Sequence, residues 1–379
     1  MKILMFIILL LLLLASCGDE GEVPADEQRN DAGETSDGLP EIDIYLTVTD
    51  SIGIDMGDSN YVFGKPVMAI HSPDANIAVL DIQKLCILFY SSEGEYIQTV
   101  GREGSGPGEF LMPASFTFMS DGGIAVSDVM AGKITFFDSD YEYSDQLIGF
   151  FPSAPTVIIG VDSGAIVGML TAFDQTEEGM FLGFSLARWE GEVEPTAEYY
   201  STFEPFDPTD IAASSNDIIF MIAASPDGKV FCAPFSTDDF IIEGYMPDGT
   251  SFLHIEDENF RKVRKTDEEI QDEIDRVNES MAAYGVEGLI EWEPDLYKTS
   301  ILSLSIDSFD RLWVRMGIYS EIVFRVYNLD GEFLFTAGVD FPGDIKSFEG
   351  WQINIDQHGI LAFDTMPDDY PKIYILEEL

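Results

Sequence analysis

The sequence returns repeatedly to one arrangement of short β-rich runs separated by tight turns. In its clearest copy, the run 116–119 is followed by the turn Ser120-Asp121-Gly122-Gly123 and by the runs 124–128 and 133–137. Residues 72–94 contain a closely matching copy. Apolar runs of about four to eight residues bounded by Asp, Gly and Pro are typical of β-strands. A unit of this kind that recurs along a chain indicates a repeat architecture.

Six copies of the unit can be aligned. One repeat position is held in successive copies by Asp81, Asp128, Met169, Pro234, Met316 and Asp364. The gaps between these residues are 47, 41, 65, 82 and 48. A four-stranded propeller blade takes about 40 to 50 residues, so the two long gaps indicate insertions. Frequent Asp-Gly turns between short strands favour an all-β ring over a helical solenoid. We therefore predict an all-β fold, a six-bladed β-propeller, over residues 41–379.

The sixth copy ends after its third strand, at Leu376, close to the C-terminus. An unassigned β-rich run, Ile42–Val48, stands before the first copy. An open strand edge invites pairing with other chains, and folded proteins usually cover it. We predict that the N-terminal run supplies the missing outer strand of the sixth blade and closes the ring.

The N-terminus has the three parts of an export signal. Lys2 precedes the uninterrupted apolar run 3–14, which is followed by Ala15, Ser16 and Cys17. A transmembrane helix needs about 20 apolar residues, and this run is shorter. A basic start, a short apolar run and a small-residue cleavage site indicate a secretory signal peptide. Residues 1–16 are predicted to be that signal peptide.

The tetrapeptide Leu14-Ala15-Ser16-Cys17 resembles the lipobox of bacterial lipoproteins, in which the cysteine is acylated and becomes the new N-terminus. The resemblance implies that Cys17 carries acyl chains such as palmitate and anchors the protein to a membrane. Each buried methylene adds about 0.8 kcal/mol to such an anchor. The alternative is an ordinary signal peptide in which Cys17 has no such role.

Residues 17–40 contain eight acids against one base, Arg29, and no aromatic residue. A segment of this composition cannot bury enough apolar surface to offset its ordering entropy, so we predict a disordered tether. Acids directly after a lipidated cysteine resemble the surface-export signal of some Gram-negative bacteria. That resemblance implies an outer-membrane lipoprotein displayed at the cell surface, and retention in an inner leaflet is the alternative.

The chain is strongly acidic. Without Lys2 it has 70 acids and 18 bases, a net charge of −52, of which −7 belongs to the tether and −45 to the folded part. Such a surface repels nucleic acid and anionic headgroups, which excludes nucleic-acid binding. The acids are dispersed along the chain, so a solvated surface is the simplest explanation. Capture of cations or basic partners is the alternative.

Two known families resemble parts of this pattern. The segment Gly101–Phe110, Pro113 and the run 120–128 resemble an NHL repeat. The lipobox, acidic tether and six copies together are similar to bacterial six-bladed β-propeller lipoproteins, a family that is mostly uncharacterised. The similarity extends over about residues 41–379 and is strongest over 66–138. It implies the same fold and membrane attachment.

Two loops match part of the sequence pattern of a known ligand-binding loop. Gly101–Gly108 has the glycines of a phosphate-binding loop, but a β-rich segment follows it and Arg102 replaces the expected lysine. We predict that this loop is a turn that links two blades.

Residues 138–142 begin like a calcium loop, yet positions six and twelve hold Tyr143 and Gly149 rather than Gly and Glu. We therefore predict that the protein has no cofactor. Ca²⁺ bound by this loop is the alternative.

Histidine and cysteine offer no catalytic pattern. His71, His254 and His358 are far apart, so no zinc signature or nucleophile can be assembled from them. Cys86 and Cys232 lie in apolar runs, where free cysteines behave as small hydrophobes. Their spacing does not imply a disulfide, although one is compatible with it.

The repeat-equivalent acids Asp81, Asp128 and Asp364 are predicted to cap a turn in each of their blades. Propellers of the lactonase type place metal-binding acids near the central channel, so a metal site formed by acids is the alternative. No catalytic residue is assigned.

Residues 257–297 form the longest insertion. Thr266-Asp267-Glu268-Glu269 is a capping box, and an apolar stripe of helical spacing follows it and ends at Gly285. The stripe is formed by Ile270, Ile274, Val277 and Met281. We expect this amphipathic helix to pack on its own propeller. A lid or a docking element is the alternative.

The sequence therefore suggests two functions. The first is a membrane-tethered binding or scaffolding module that engages a protein or a glycan through one face of the propeller. The second is a metal-dependent hydrolase or lactonase with its site at the central channel. Propellers support both, so the fold alone does not decide between them.

Overall fold

The computed structural model describes residues 38–161, 164–176, 179–205, 220–283, 294–343, 345, 347–348 and 350–378. The predicted signal peptide, Cys17 and most of the tether lie outside these ranges. Among the described residues no helix is long and apolar enough to cross a membrane.

The described residues contain 24 strands, arranged as six four-stranded antiparallel units that we number as blades in chain order. Blade 1 consists of β2 (Pro66–His71), β3 (Ile77–Asp81), β4 (Cys86–Tyr90) and β5 (Tyr96–Val100). Blade 2 consists of β6 (Pro113–Phe118), β7 (Ile124–Asp128), β8 (Lys133–Phe137) and β9 (Tyr143–Ile148). Blade 3 consists of β10 (Val157–Gly160), β11 (Ile166–Thr176), β12 (Gly179–Trp189) and β13 (Ala197–Pro205).

Blade 4 consists of β14 (Phe220–Ala224), β15 (Val230–Pro234), β16 (Ile241–Tyr245) and β17 (Ser251–Glu256). The helix α1 (Asp267–Ala283) follows it. Blade 5 consists of β18 (Ile301–Ile306), β19 (Arg311–Met316), β20 (Val323–Asn328) and β21 (Phe333–Asp340). Blade 6 consists of β22 (Trp351–Ile355), β23 (Ile360–Asp364), β24 (Ile373–Glu378) and the N-terminal strand β1 (Ile44–Ile52). The predicted six-bladed all-β fold is confirmed.

The hydrophobic core is divided into clusters that lie between consecutive blades. Ala78 and Phe89 of blade 1 pack with Phe116 of blade 2, and equivalent clusters join blades 2 to 3, 3 to 4, 4 to 5 and 5 to 6. The sixth cluster contains Val79 of blade 1 and Leu361 of blade 6, and it completes the ring. Every blade therefore buries both of its faces against a neighbour.

Strand β1 closes the ring as predicted. It pairs antiparallel with β24, from Leu46 opposite Glu378 to Ile52 opposite Ile373. It also pairs in parallel with β21 of blade 5, which the sequence had not indicated. The fold begins earlier than the predicted boundary at residue 41, because Leu39 already packs against the cluster between blades 4 and 5.

The antiparallel pairing gives the ring two different faces. The segments that join one blade to the next lie on one face, together with the loops between second and third strands. We call this the linker face, and we call the opposite face, which carries the short turns such as 72–76 and 91–95, the turn face. Since β1 begins beside the C-terminal end of β24, the chain enters the fold at the turn face.

Both long gaps in the repeat correspond to additions on the linker face. Strand β11 runs seven residues past Met169, the position at which the equivalent strand of blade 1 ends. At roughly 3.3 Å per residue this extends the β11–β12 hairpin by about 23 Å. Residues 206–219, which follow β13, lie outside the described residues. The other gap contains α1.

Candidate functional site

Two of the three repeat-equivalent aspartates have a structural role. The buried carboxylate of Asp81 accepts hydrogen bonds from the amides of Gly64 (2.6 Å) and Lys65 (3.0 Å), which belong to the linker into blade 1. It also accepts from the amides of its own loop, at Gln83 and Lys84. These contacts fasten a linker to the loop beside it, because an unpaired buried amide would be costly.

Asp128 repeats this arrangement in blade 2. Its carboxylate accepts from the linker amides of Leu111 (2.7 Å) and Met112 (3.0 Å), and from Ala131 in its own loop. The predicted turn-capping role is therefore confirmed for both Asp81 and Asp128.

Asp364 occupies the same register position in blade 6, opposite Trp351. Among the described residues its carboxylate accepts one hydrogen bond, from the amide of Met366 at 2.9 Å. Burial raises the pKa of Asp364, and nearby Asp368 adds to the increase, while the Met366 amide and Arg276 oppose it. Glu349, which takes the repeat position of Gly64 and Leu111, lies outside the described residues, so the turn-capping role of Asp364 stays a prediction.

Helix α1 begins with the predicted capping box. The Thr266 amide donates to the Glu269 side chain at 2.8 Å, and the Glu269 amide donates to Thr266 Oγ1 at 3.2 Å. Lys298 Nζ donates to the other Glu269 oxygen at 2.5 Å. Burial raises the pKa of Glu269, but the hydrogen bonds from Lys298 and Thr266 outweigh it and lower the pKa. The end predicted at Gly285 lies outside the described residues.

A buried ion pair holds the helix to the base of its insertion. Lys265 Nζ lies 2.6 Å from Glu273 Oε2, and both side chains are almost fully buried. Val277, on the same side of the helix, is also buried. Because Lys265 belongs to the same insertion, the packing of the apolar stripe on the propeller stays a prediction, and the side chain of Met281 lies outside the described ones.

The helix reaches across the linker face to blade 6 and forms one wall of a cleft there. The cleft has a volume of about 500 Å³. We call it the acidic cleft. Its walls are formed by Asp272, Asp275, Arg276, Ile345, Ser347, Gly350, Trp351, Asp364, Met366, Pro367, Asp368, Asp369, Tyr370, Lys372 and Tyr374. Five of these residues are carboxylates and two are cations. Three are aromatic. The cleft therefore offers negative charge beside apolar surface.

Aromatic side chains shape the blade 6 wall. Trp351 is buried and its ring centroid lies 5.4 Å from that of Tyr374. Lys372 Nζ lies 4.4 Å from the centroid of the Tyr370 ring, a cation–π contact. The wall thus already accommodates an ammonium group against an aromatic face.

A buried arginine fixes the linker that leads into this wall. Arg315 of blade 5 donates hydrogen bonds to the backbone carbonyls of Trp351 and Phe348, the latter at 2.9 Å. Burial lowers the pKa of Arg315 to about 10. Arg315 therefore holds the backbone of Trp351 in place, and Trp351 forms part of the cleft wall.

The two loops that imitate ligand sites are structural. Gly101–Gly108 joins β5 to β6, as predicted, and the Glu109 carboxylate accepts from Arg102 at 2.8 Å and from the Gly106 amide at 2.8 Å. In the 138–142 turn, Asp138 Oδ1 accepts from the amides of Asp140 and Glu142, each at 3.0 Å. Among the described residues no three His, Cys, Asp or Glu side chains are placed to hold a metal.

The histidines and cysteines lie apart from the cleft. His254 is exposed, and its pKa is raised by hydrogen bonds to Glu243 and Glu256. Cys86 and Cys232 are free thiols buried in different blades. Burial raises the pKa of the Cys86 thiol to about 11 and that of Cys232 further still.

Residues 62–149, which include blades 1 and 2, match the family model DUF5128, described as a 6-bladed beta-propeller. The expected similarity to a family of six-bladed β-propellers is thus confirmed. No functionally curated protein matches the chain significantly.

Several solved structures are similar to the chain. A member of the DUF4221 family from Bacteroides vulgatus is 12% identical, with a TM-score of 0.47, over 89% of this chain and 98% of its own. A protein from Bacteroides fragilis, named as an exported protein, is also 12% identical, with a TM-score of 0.45, over 88% and 95%. The β-propeller domain of Myceliophteria thermophila Cps50 (Swd1) is 9% identical, with a TM-score of 0.42, over 87% and 99%.

Proposed function

We propose that the protein is a binding or scaffolding module, anchored to the bacterial envelope through acylated Cys17, and that it engages its partner through the linker face. The observation that carries this proposal is the acidic cleft. It is built where an inserted helix meets blade 6, and its walls carry five carboxylates beside three aromatic side chains.

The position of the N-terminus supports the choice of face. The chain enters the fold at the turn face, so an anchor at Cys17 leads away from the side that carries the cleft. The extended β11–β12 hairpin and α1 also rise from the linker face. Loops and insertions on a rigid scaffold are where binding residues concentrate.

Site-directed photo-cross-linking on intact cells tests the choice of face. A thiol-reactive benzophenone is attached to Glu268→Cys on α1, or to Glu93→Cys in the 91–95 turn. Both residues are exposed, whereas Cys86 and Cys232 are buried and hardly ionised at neutral pH. We expect discrete adducts from Glu268→Cys alone. Equal adducts from both sites, or none from either, would overturn the proposal.

Metabolic labelling with alkyne-palmitate tests the anchor. The wild-type chain and a Cys232→Ala control are expected to take up the label and to fractionate with membranes. Cys17→Ser is expected to do neither. Membrane association of Cys17→Ser equal to that of the wild type would show that Cys17 is not the anchor.

A further inference from the structure

The acidic cleft has two chemical properties that a partner must match. Its described walls carry five carboxylates and two cations, a formal charge of −3. Beside the carboxylates, Met366 is 47% exposed and Tyr370 is half-buried. A ligand therefore meets negative charge next to an apolar surface.

Three segments outside the described residues lack the bases needed to neutralise the cleft. Residues 206–219 contain three acids, residues 284–293 contain three acids, and neither has a lysine or arginine. The tether has eight acids and one base. A second copy of the folded part, at about −45, is repelled overall, although its residues 261–265 include four bases. Nucleic acids and anionic headgroups are repelled by the same charge, so charge complementarity favours a cationic segment of another protein.

We propose that the acidic cleft docks a basic segment of a protein partner. A lysine or arginine side chain enters among Asp364, Asp368 and Asp369, and an adjacent apolar side chain packs on Met366 and Tyr370. The Lys372 ammonium over the Tyr370 ring shows how a cation is accommodated on this wall. This inference rests on the proposed function and specifies the partner class.

Fluorescence anisotropy with the full mature chain in zwitterionic nanodiscs tests the inference. The probe is a short labelled peptide of lysine, leucine and glycine, compared with versions in which glutamate replaces lysine or serine replaces leucine. We expect the lysine–leucine peptide to bind more tightly than both. Its Kd should rise with salt, because the Debye length falls from about 10 Å at 0.1 M to about 3 Å at 1 M.

A pair of charge-matched variants locates the binding. Asp272→Asn with Asp369→Asn removes one exposed carboxylate from each wall of the cleft. Glu93→Gln with Asp330→Asn removes two exposed carboxylates from the turn face. The cleft variant should bind the peptide about fivefold more weakly, whereas the turn-face variant should stay within about twofold.

Equal weakening by the two variants, or equal affinity for all three peptides, would overturn the inference. So would displacement of the peptide by Ca²⁺ or by an amino sugar at lower concentration than the peptide itself, since that assigns the cleft to another ligand. Cross-linking through Glu268→Cys does not depend on ligand charge. Adducts there without selective peptide binding would therefore reject this inference and retain the proposed function.

Discussion

His71 Nδ1 lies 3.0 Å from each carboxylate oxygen of Asp356, and this contact joins the first blade to the last on the turn face. Asp356 also accepts from the His71 amide at 2.8 Å and from the amides of His358 and Gly359 in its own turn. One carboxylate therefore fastens the turn of blade 6 and the junction at which the ring closes.

Removal of the Asp356 carboxylate should destabilise the junction between blades 1 and 6. We expect Asp356→Ala to lower the free energy of unfolding by about 2 to 3 kcal/mol, because it leaves several partly buried donors without an acceptor. Asp330→Ala, which changes an exposed acid in the turn of blade 5, should stay within about 0.5 kcal/mol. Urea denaturation measures both, and equal values would contradict the role given to Asp356.

The raised pKa of Asp364 predicts how the stability of the protein depends on pH. Its folded-state pKa is raised, chiefly by burial, so ionisation at neutral pH costs more in the folded chain than in the unfolded one. This cost is absent below the ordinary aspartate pKa of about 3.8 and develops as pH rises through the folded-state pKa. Asp364→Asn should therefore gain stability relative to wild type at pH 7.

The gain should shrink as the pH is lowered towards 4, and paired urea titrations at each pH measure it. Asp369→Asn, an exposed neighbour in the same cleft, serves as the control and should change stability by less than about 0.5 kcal/mol at pH 7. A stability difference between Asp364→Asn and wild type that did not vary with pH would contradict the raised pKa of Asp364.

The buried pair of Lys265 and Glu273 predicts how firmly α1 is held. Glu273→Ala should destabilise the protein by about 3 to 5 kcal/mol, because it leaves a buried ammonium without its carboxylate. Glu268→Ala, on the exposed side of the helix, should change stability by less than about 0.5 kcal/mol. Replacing both members, as Lys265→Met with Glu273→Met, should recover most of the loss.

Hydrogen exchange at the amides of α1 distinguishes local from global effects in these variants. Faster exchange confined to the helix would mean that the insertion opens independently of the ring. Unchanged stability in Glu273→Ala would contradict the anchoring role of the pair.

The closing strand can be tested through its buried and exposed sides. Leu46 of β1 is fully buried, whereas its neighbour Tyr45 is 49% exposed. We expect Leu46→Ala to cost about 2 to 5 kcal/mol in unfolding free energy, and Tyr45→Ala to cost clearly less. Thermal unfolding of the two variants gives the comparison, and equal shifts in Tm would mean that β1 contributes little to the core.

Local patterns predicted the ring well, because each blade carries its own turn signals. The strands Ile124–Asp128 and Lys133–Phe137 coincide with the predicted runs, and Ile77–Asp81 lies in the copy predicted at residues 72–94. The Thr266–Glu269 capping box and the closing strand were also foreseen. These features depend on neighbouring residues, or on the simple need to pair an open edge.

The cleft could not be predicted, because its two walls are far apart in sequence. Residues 272–276 meet residues 345–374 only because α1 crosses from the linker after blade 4 to blade 6. The repeat alignment also treated Asp364 as equivalent to Asp81 and Asp128. The raised pKa of Asp364 depends on its burial and on the nearby charges of Asp368 and Arg276, which no repeat pattern reports.

The double pairing of β1 has a mechanical consequence. A pull on the N-terminus acts along the strand and strains its hydrogen bonds to β21 and β24 together, in shear. A strand at a free edge would instead peel away one bond at a time. Tension applied at the N-terminus is thus shared by two blades before any part of the ring has to open.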